Sequence, residues 1–67
     1  MNKVNCWAAV ETDGSEYFYS NKPIWQEEQK EWYLSNESDK YIEVPKGTIK
    51  RLTGITLRYD DEPILLK

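Results

Sequence analysis

Val44-Pro45-Lys46-Gly47-Thr48-Ile49-Lys50-Arg51-Leu52-Thr53-Gly54, continuing into Ile55-Thr56-Leu57-Arg58-Tyr59, is the stretch that decides the fold. It reads as the end of a strand, a turn, a very short helix, a stop and a second strand. Pro45 fixes its own φ and biases Val44 towards an extended backbone. Gly47 permits a backbone angle that other residues resist. Thr48 suits a helix N-cap, with its hydroxyl accepting from a free backbone N–H. Ile49 and Leu52 stand three apart and share a face, while Lys50 and Arg51 lie away from it. Gly54 is placed as the C-terminal stop. Such a short helix is held only by tertiary packing of Ile49 and Leu52.

Between Pro45 and Tyr59 the only charged side chains are Lys46, Lys50, Arg51 and Arg58. With a helix N-terminus beside Lys46, this reads as an anion site. The plainer reading is a connector helix with solvated basic residues, since no multi-glycine phosphate loop is present.

Outward from this stretch the chain is acidic. Glu27, Glu28, Glu31, Glu37, Asp39 and Glu43 precede it, against Lys30 and Lys40, and Asp60-Asp61-Glu62 follows it. The net charge of −3 argues against a duplex nucleic acid partner. A basic stretch between two acidic ones suits pairing between copies. At 67 residues the chain is one domain. A domain of this size buries only about 60% of its unfolded surface. Cys6 is the single cysteine and there is no histidine, so neither an intrachain disulfide nor a zinc site staples the fold. Self-association is the remaining staple, and a homo-oligomer is expected. Eight of the nine aromatic side chains are Trp or Tyr, a composition suited to interfaces and stacking sites.

Residues 4–11 alternate as a strand, and Thr12-Asp13-Gly14-Ser15 is a hairpin turn signal. With Asp13 and Gly14 as the two loop residues, Val10 faces Tyr17, Ala8 faces Tyr19 and Ala9 faces Phe18. That register also opposes Glu11 to Glu16, a repulsion that a longer loop would relieve. Residues 16–20 form the returning strand. Residues 26–33 read as a helical segment from the Gln/Glu/Lys run, with a strand over residues 31–34 as the competing reading. Residues 40–44 and 55–59 alternate as strands; on one reading of the first, Ile42 and Val44 face inward with Tyr41 and Glu43 opposite. Residues 64–66 form a last short strand or a packed tail. The expected fold is a small α+β domain: a mainly antiparallel sheet of four or five strands, an N-terminal hairpin and one short helix at residues 48–53.

Catalytic candidates are few. Without histidine there is no general base suited to neutral pH. Cys6 lies within a strand and reads as a core cysteine rather than a nucleophile. Asp60, Asp61 and Glu62 could hold a divalent cation but read as a solvated turn before Pro63. No catalytic residue, metal ligand or cofactor is therefore assigned. Binding is the remaining class. In one reading Trp7, Tyr17, Trp25 or Tyr59 stacks on a base while Lys46, Thr48, Lys50, Arg51 or Arg58 meets phosphate, which would hold a nucleotide or a short single strand. In the other, Trp25, Trp32 and Tyr33 anchor an acidic face on a partner protein. No apolar run reaches membrane-spanning length, and a cytoplasmic location without membrane attachment is expected.

The pattern Trp7…Asp13-Gly14…Tyr17-Phe18…Lys22-Pro23…Trp32…Val44-Pro45-Lys46-Gly47-Thr48-Ile49…Leu52…Gly54…Asp61-Glu62-Pro63-Ile64 resembles small proteins encoded by bacteriophages and prophages. The resemblance implies a non-enzymatic task directed against host immunity: blocking a host defence protein, or sequestering a nucleotide signal.

Overall fold

The computed structural model describes residues 6–66. The expected start of the first strand at residues 4–5 lies outside them. Six strands and one helix follow in the order β1 (Cys6–Val10), β2 (Glu16–Tyr19), β3 (Ile24–Gln26), β4 (Glu31–Tyr33), β5 (Tyr41–Val44), α1 (Thr48–Thr53) and β6 (Ile64–Leu66). Antiparallel pairing places four strands in one sheet, in the order β5-β2-β1-β6, and β3 with β4 in a second. The fold is thus the expected small α+β class with an N-terminal hairpin. None of its described helices is long and apolar enough to cross a membrane.

The β1–β2 turn is one residue longer than a two-residue loop. Glu11 N–H donates to the Ser15 carbonyl at 2.9 Å, and Gly14 N–H to the Glu11 carbonyl at 2.9 Å. Gly14 is left-handed at φ 89°, which makes this a three-residue turn with a glycine bulge. The Asp13 carboxylate accepts from Ser15 N–H at 2.9 Å and braces it. The register is therefore Val10 with Glu16, Ala9 with Tyr17, Ala8 with Phe18 and Trp7 with Tyr19. This corrects the expected pairing by one residue, and a one-residue slip moves side chains to the opposite face. Phe18 joins Ala8 and Val10 on one face; Tyr17 and Tyr19 join Trp7 and Ala9 on the other. Glu11 no longer opposes Glu16.

Helix α1 covers the first face. Ile49 is 1% exposed and packs with Ala8 and Val10, flanked by Phe18, Leu57, Ile64 and Leu66. Leu52 does not share this burial: it is 63% exposed, at the rim of a hollow beside β6. A six-residue helix meets the sheet by its first turn alone. Gly47, at φ 97°, and Gly54, at φ 77°, bound it. Thr48 is not the cap. It is the first helical residue, and its hydroxyl turns back to the Pro45 carbonyl at 2.5 Å. The cap comes from another strand: the Glu16 carboxylate accepts from Gly47 N–H at 2.7 Å and from Ile49 N–H at 2.9 Å.

Three other expectations are corrected. Residues 26–33 are a hairpin, not a helix. The chain turns at residues 27–30, closed by Lys30 N–H on the Gln26 carbonyl at 2.8 Å, with Lys30 left-handed at φ 56°. Trp25 lies opposite Trp32, their rings edge-to-face at 5.2 Å. Such a pair is worth about 0.5–1.5 kcal/mol beyond its burial. Trp32 also donates its indole N–H to the Val10 carbonyl at 2.9 Å. These tertiary contacts override the helical propensity of the Gln/Glu/Lys run. Residues 55–59 are not a strand either. β6 takes the free edge of β1, and 55–59 run unpaired towards it, closed by Asp61 N–H on the Arg58 carbonyl and Arg58 N–H on the Asp61 carboxylate. Ile42, expected inward on β5, is 62% exposed because α1 does not reach that end of the sheet.

Replacing Glu16 with Ala leaves two helix amides without their carboxylate. The expected loss is about 1–2 kcal/mol in urea denaturation. Glu16→Gln, which keeps one acceptor oxygen, is expected to lose less than Glu16→Ala. Equal stability of Glu16→Ala and the parent chain would show that the cap does not hold α1 to the sheet.

Candidate functional site

The second face of the sheet forms a cleft with the β3–β4 hairpin. Its floor is a tyrosine cluster. Tyr17 and Tyr19 alternate along β2, and Tyr41 lies across from Tyr19 on β5, so all three point to one face. Ring centroids are 6.0–6.2 Å apart, with Tyr19 and Tyr41 stacked at 26°. Tyr19 is 4% exposed, whereas Tyr41 is 60% exposed. Trp32, Tyr33 and Leu34 line the opposite wall, and the cleft encloses about 460 Å³.

Its charge is of one sign. Glu11, Glu31 and Glu37 line it, and among the described residues no lysine or arginine does. A second hollow of about 370 Å³ shares Glu11, Tyr17 and Glu31 and extends the groove to Asp13 and Lys30. Lys30 is already paired with Glu27. The groove is thus elongated, acidic and floored by phenol rings.

Trp32 fixes the wall. β6 begins opposite Ala8, so the Val10 carbonyl lies past its end, and the Trp32 indole N–H takes it. The Trp32 backbone N–H faces the Glu11 carboxylate at 3.3–3.4 Å. Partial burial pushes the Glu11 carboxyl above its ordinary range; the Glu31 and Asp13 charges add to this and the Trp32 amide opposes it. Burial, with the charge of Glu11 second, also raises the Tyr19 hydroxyl, which stays protonated at neutral pH.

The residues proposed for a stacking and phosphate site lie apart. Trp7 has Lys22 over its ring at 5.6 Å. Tyr17 belongs to the tyrosine floor. Trp25 and Tyr59 do meet, at 6.0 Å, beside a hollow of about 410 Å³ that Glu27, Lys30, Asp60, Asp61 and Glu62 also line. None of Lys46, Lys50, Arg51 and Arg58 lines that hollow. Lys46 reaches the Asp13 carbonyl at 3.3 Å and Lys50 the Gly54 carbonyl at 3.2 Å. Arg51 and Arg58 are exposed. Thr48 is turned to Pro45, and the helix amides that an anion would use are bonded to Glu16. Among the described residues no three carboxylates converge as metal ligands. The Cys6 thiol, half-buried, is pushed up by burial, which disfavours the reactive thiolate.

Glu11, Tyr19, Glu31, Leu34, Glu37 and Tyr41 are the cleft residues missed in the sequence. The available signal was the Glu-rich segment beside Trp32, read there as an acidic face, but the floor depended on the hairpin register. No family model matches the chain, and no curated protein or solved structure is significantly similar to it.

A carboxyl raised in the folded state binds its proton more tightly there than in the unfolded chain. Glu11 therefore favours folding at low pH, and that contribution is lost as pH rises through its raised folded value. Glu11→Gln is expected to melt above the parent chain at pH 7 and to converge with it near about pH 3.5, where the parent carboxyl is protonated. A difference of equal size at both pH values would show that titration of Glu11 is not its cause.

Proposed function

We propose that the chain is a non-enzymatic binding protein whose acidic tyrosine cleft takes an extended, basic segment of a partner protein. The observation that carries this reading is the combination of three glutamates with a phenol floor and, among the described residues, no cation lining the cleft. Guanidinium and ammonium groups are attracted both by carboxylates and by the faces of aromatic rings. The groove continues over Tyr17 and Glu31 towards Asp13, beyond a pocket for one side chain, as an extended segment requires. The resemblance to small phage proteins adds the class of partner, a host protein blocked by occupation of its basic segment, and with it a cytoplasmic place of action. Nucleotide sequestration is the second reading. The Trp25–Tyr59 pair favours it as a ring-stacking site, although the carboxylates around that pair oppose a phosphate. The chain is further proposed to act as a homo-oligomer, because Tyr41 and Ile42 lie exposed on the terminal strand of the sheet.

Trp32 in the cleft wall reports occupancy by its fluorescence. Titration with short peptides carrying Arg between apolar residues is expected to saturate, whereas the same peptides with Ala for Arg are not. Glu31→Gln with Glu37→Gln is expected to weaken binding by about tenfold or more, on the scale of charge-assisted contacts. Saturation by a nucleoside monophosphate together with no response to any Arg peptide would overturn the reading in favour of the nucleotide one.

A further inference from the structure

We infer that the free edge of β5 is the surface on which a second copy of this chain docks, in one antiparallel register. β5 ends the four-stranded sheet and, among the described residues, has a partner on one side only. Ser20 N–H donates to the Lys40 carbonyl at 2.9 Å, which fixes the phase of the β2–β5 ladder. Hydrogen-bonded pairs alternate along an antiparallel ladder, so Phe18 with Ile42 and Glu16 with Val44 exchange backbone bonds. The N–H and C=O groups of Tyr41 and Glu43 therefore point away from the sheet. No proline, glycine or lysine lies within β5 to block its edge.

Self-pairing of this edge is tightly restricted. A twofold axis normal to the sheet keeps each residue on its own face, so a residue can oppose only one of like parity. Centring the axis on Glu43 sets two carboxylates against each other. Centring it on Tyr41 opposes Glu43 to Asp39. Centring it on Ile42 opposes Ile42 to Ile42 of the second copy and Tyr41 to the second copy's Glu43. Only this last register pairs the four outward backbone groups of Tyr41 and Glu43 without opposing acids.

Side chains support the same choice. Ile42 is 62% exposed beside a hollow of about 270 Å³ formed with Cys6 and Phe18. The central pair buries two such isoleucines against each other. On the other face Tyr41 is already a cleft residue. The second copy's Glu43 would stand next to it, so each cleft gains a fourth carboxylate from its neighbour. The inference rests on the oligomeric reading above and is independent of what the cleft binds.

Two measurements test it. Sedimentation over a concentration series is expected to show a dimer, with Ile42→Lys raising its dissociation constant by more than tenfold while leaving the Trp fluorescence of the fold unchanged. A monomer throughout the series overturns both the oligomeric reading and the edge. Oxidation in a Cys6→Ser background then tests the register. Opposed residues at a non-hydrogen-bonded site have Cα atoms about 4.5 Å apart, within disulfide reach, whereas two positions offset along the strands are beyond about 7 Å. Ile42→Cys is expected to cross-link to a covalent dimer and Glu43→Cys is not. A dimer in which Glu43→Cys cross-links and Ile42→Cys does not would leave self-association standing and overturn this register.

Discussion

The closure of the β1–β2 turn is the constraint on which the rest of the structure depends. Glu11 and Ser15 close a loop whose last residue, Gly14, is left-handed, and the Asp13 carboxylate holds Ser15 in place. A side chain at Gly14 would be strained in that conformation. The three-residue turn fixes Val10 opposite Glu16, and this one pair anchors both elements added to the sheet. The Val10 carbonyl receives the Trp32 indole and so positions the β3–β4 hairpin. The Glu16 carboxylate receives the Gly47 and Ile49 amides and so positions α1. A slip of one residue would send Glu16 to the far face, away from the helix, and would bring the tyrosines under it.

The two faces then diverge in character. The helix side is aliphatic, built from Ala8, Val10 and Ile49 with Phe18, Leu57, Ile64 and Leu66 around them. The hairpin side is aromatic and acidic, with Tyr19 buried and Tyr41 exposed at the open end. A sheet this small cannot cover both faces with one six-residue helix. The consequence is a cleft on one face and an open strand edge at β5, both of which carry polar groups free for a partner.

Much of the fold was legible from local chemistry. Gly47 and Gly54 bracket a helix by needing positive φ, and the alternation of residues 41–44 marks a strand wherever its partner lies. What escaped the sequence was non-local. Asp-Gly permits both two- and three-residue turns, and the choice reverses the faces of β2 against β1. The cap of α1 comes from Glu16, on a strand thirty-one residues before Gly47 in the chain. Residues 27–30 have helical propensity, but Trp32 gains more from Val10 and Trp25 than the helix would return. Residues 55–59 alternate like a strand, but the edge of β1 that they approach is taken by β6. The candidate site failed to assemble for the same reason: Lys46 and Lys50 bond to carbonyls of nearby turns, and the anion at the helix start is the chain's own Glu16.

The register itself is open to direct measurement by nuclear Overhauser effects between α-protons, which are strong only across non-hydrogen-bonded antiparallel pairs. The three-residue turn predicts them between Val10 and Glu16 and between Ala8 and Phe18. A two-residue Asp13-Gly14 turn would instead give them between Glu11 and Glu16 and between Ala9 and Phe18. The first pattern supports the tyrosine cleft and the Glu16 cap together; the second would contradict both.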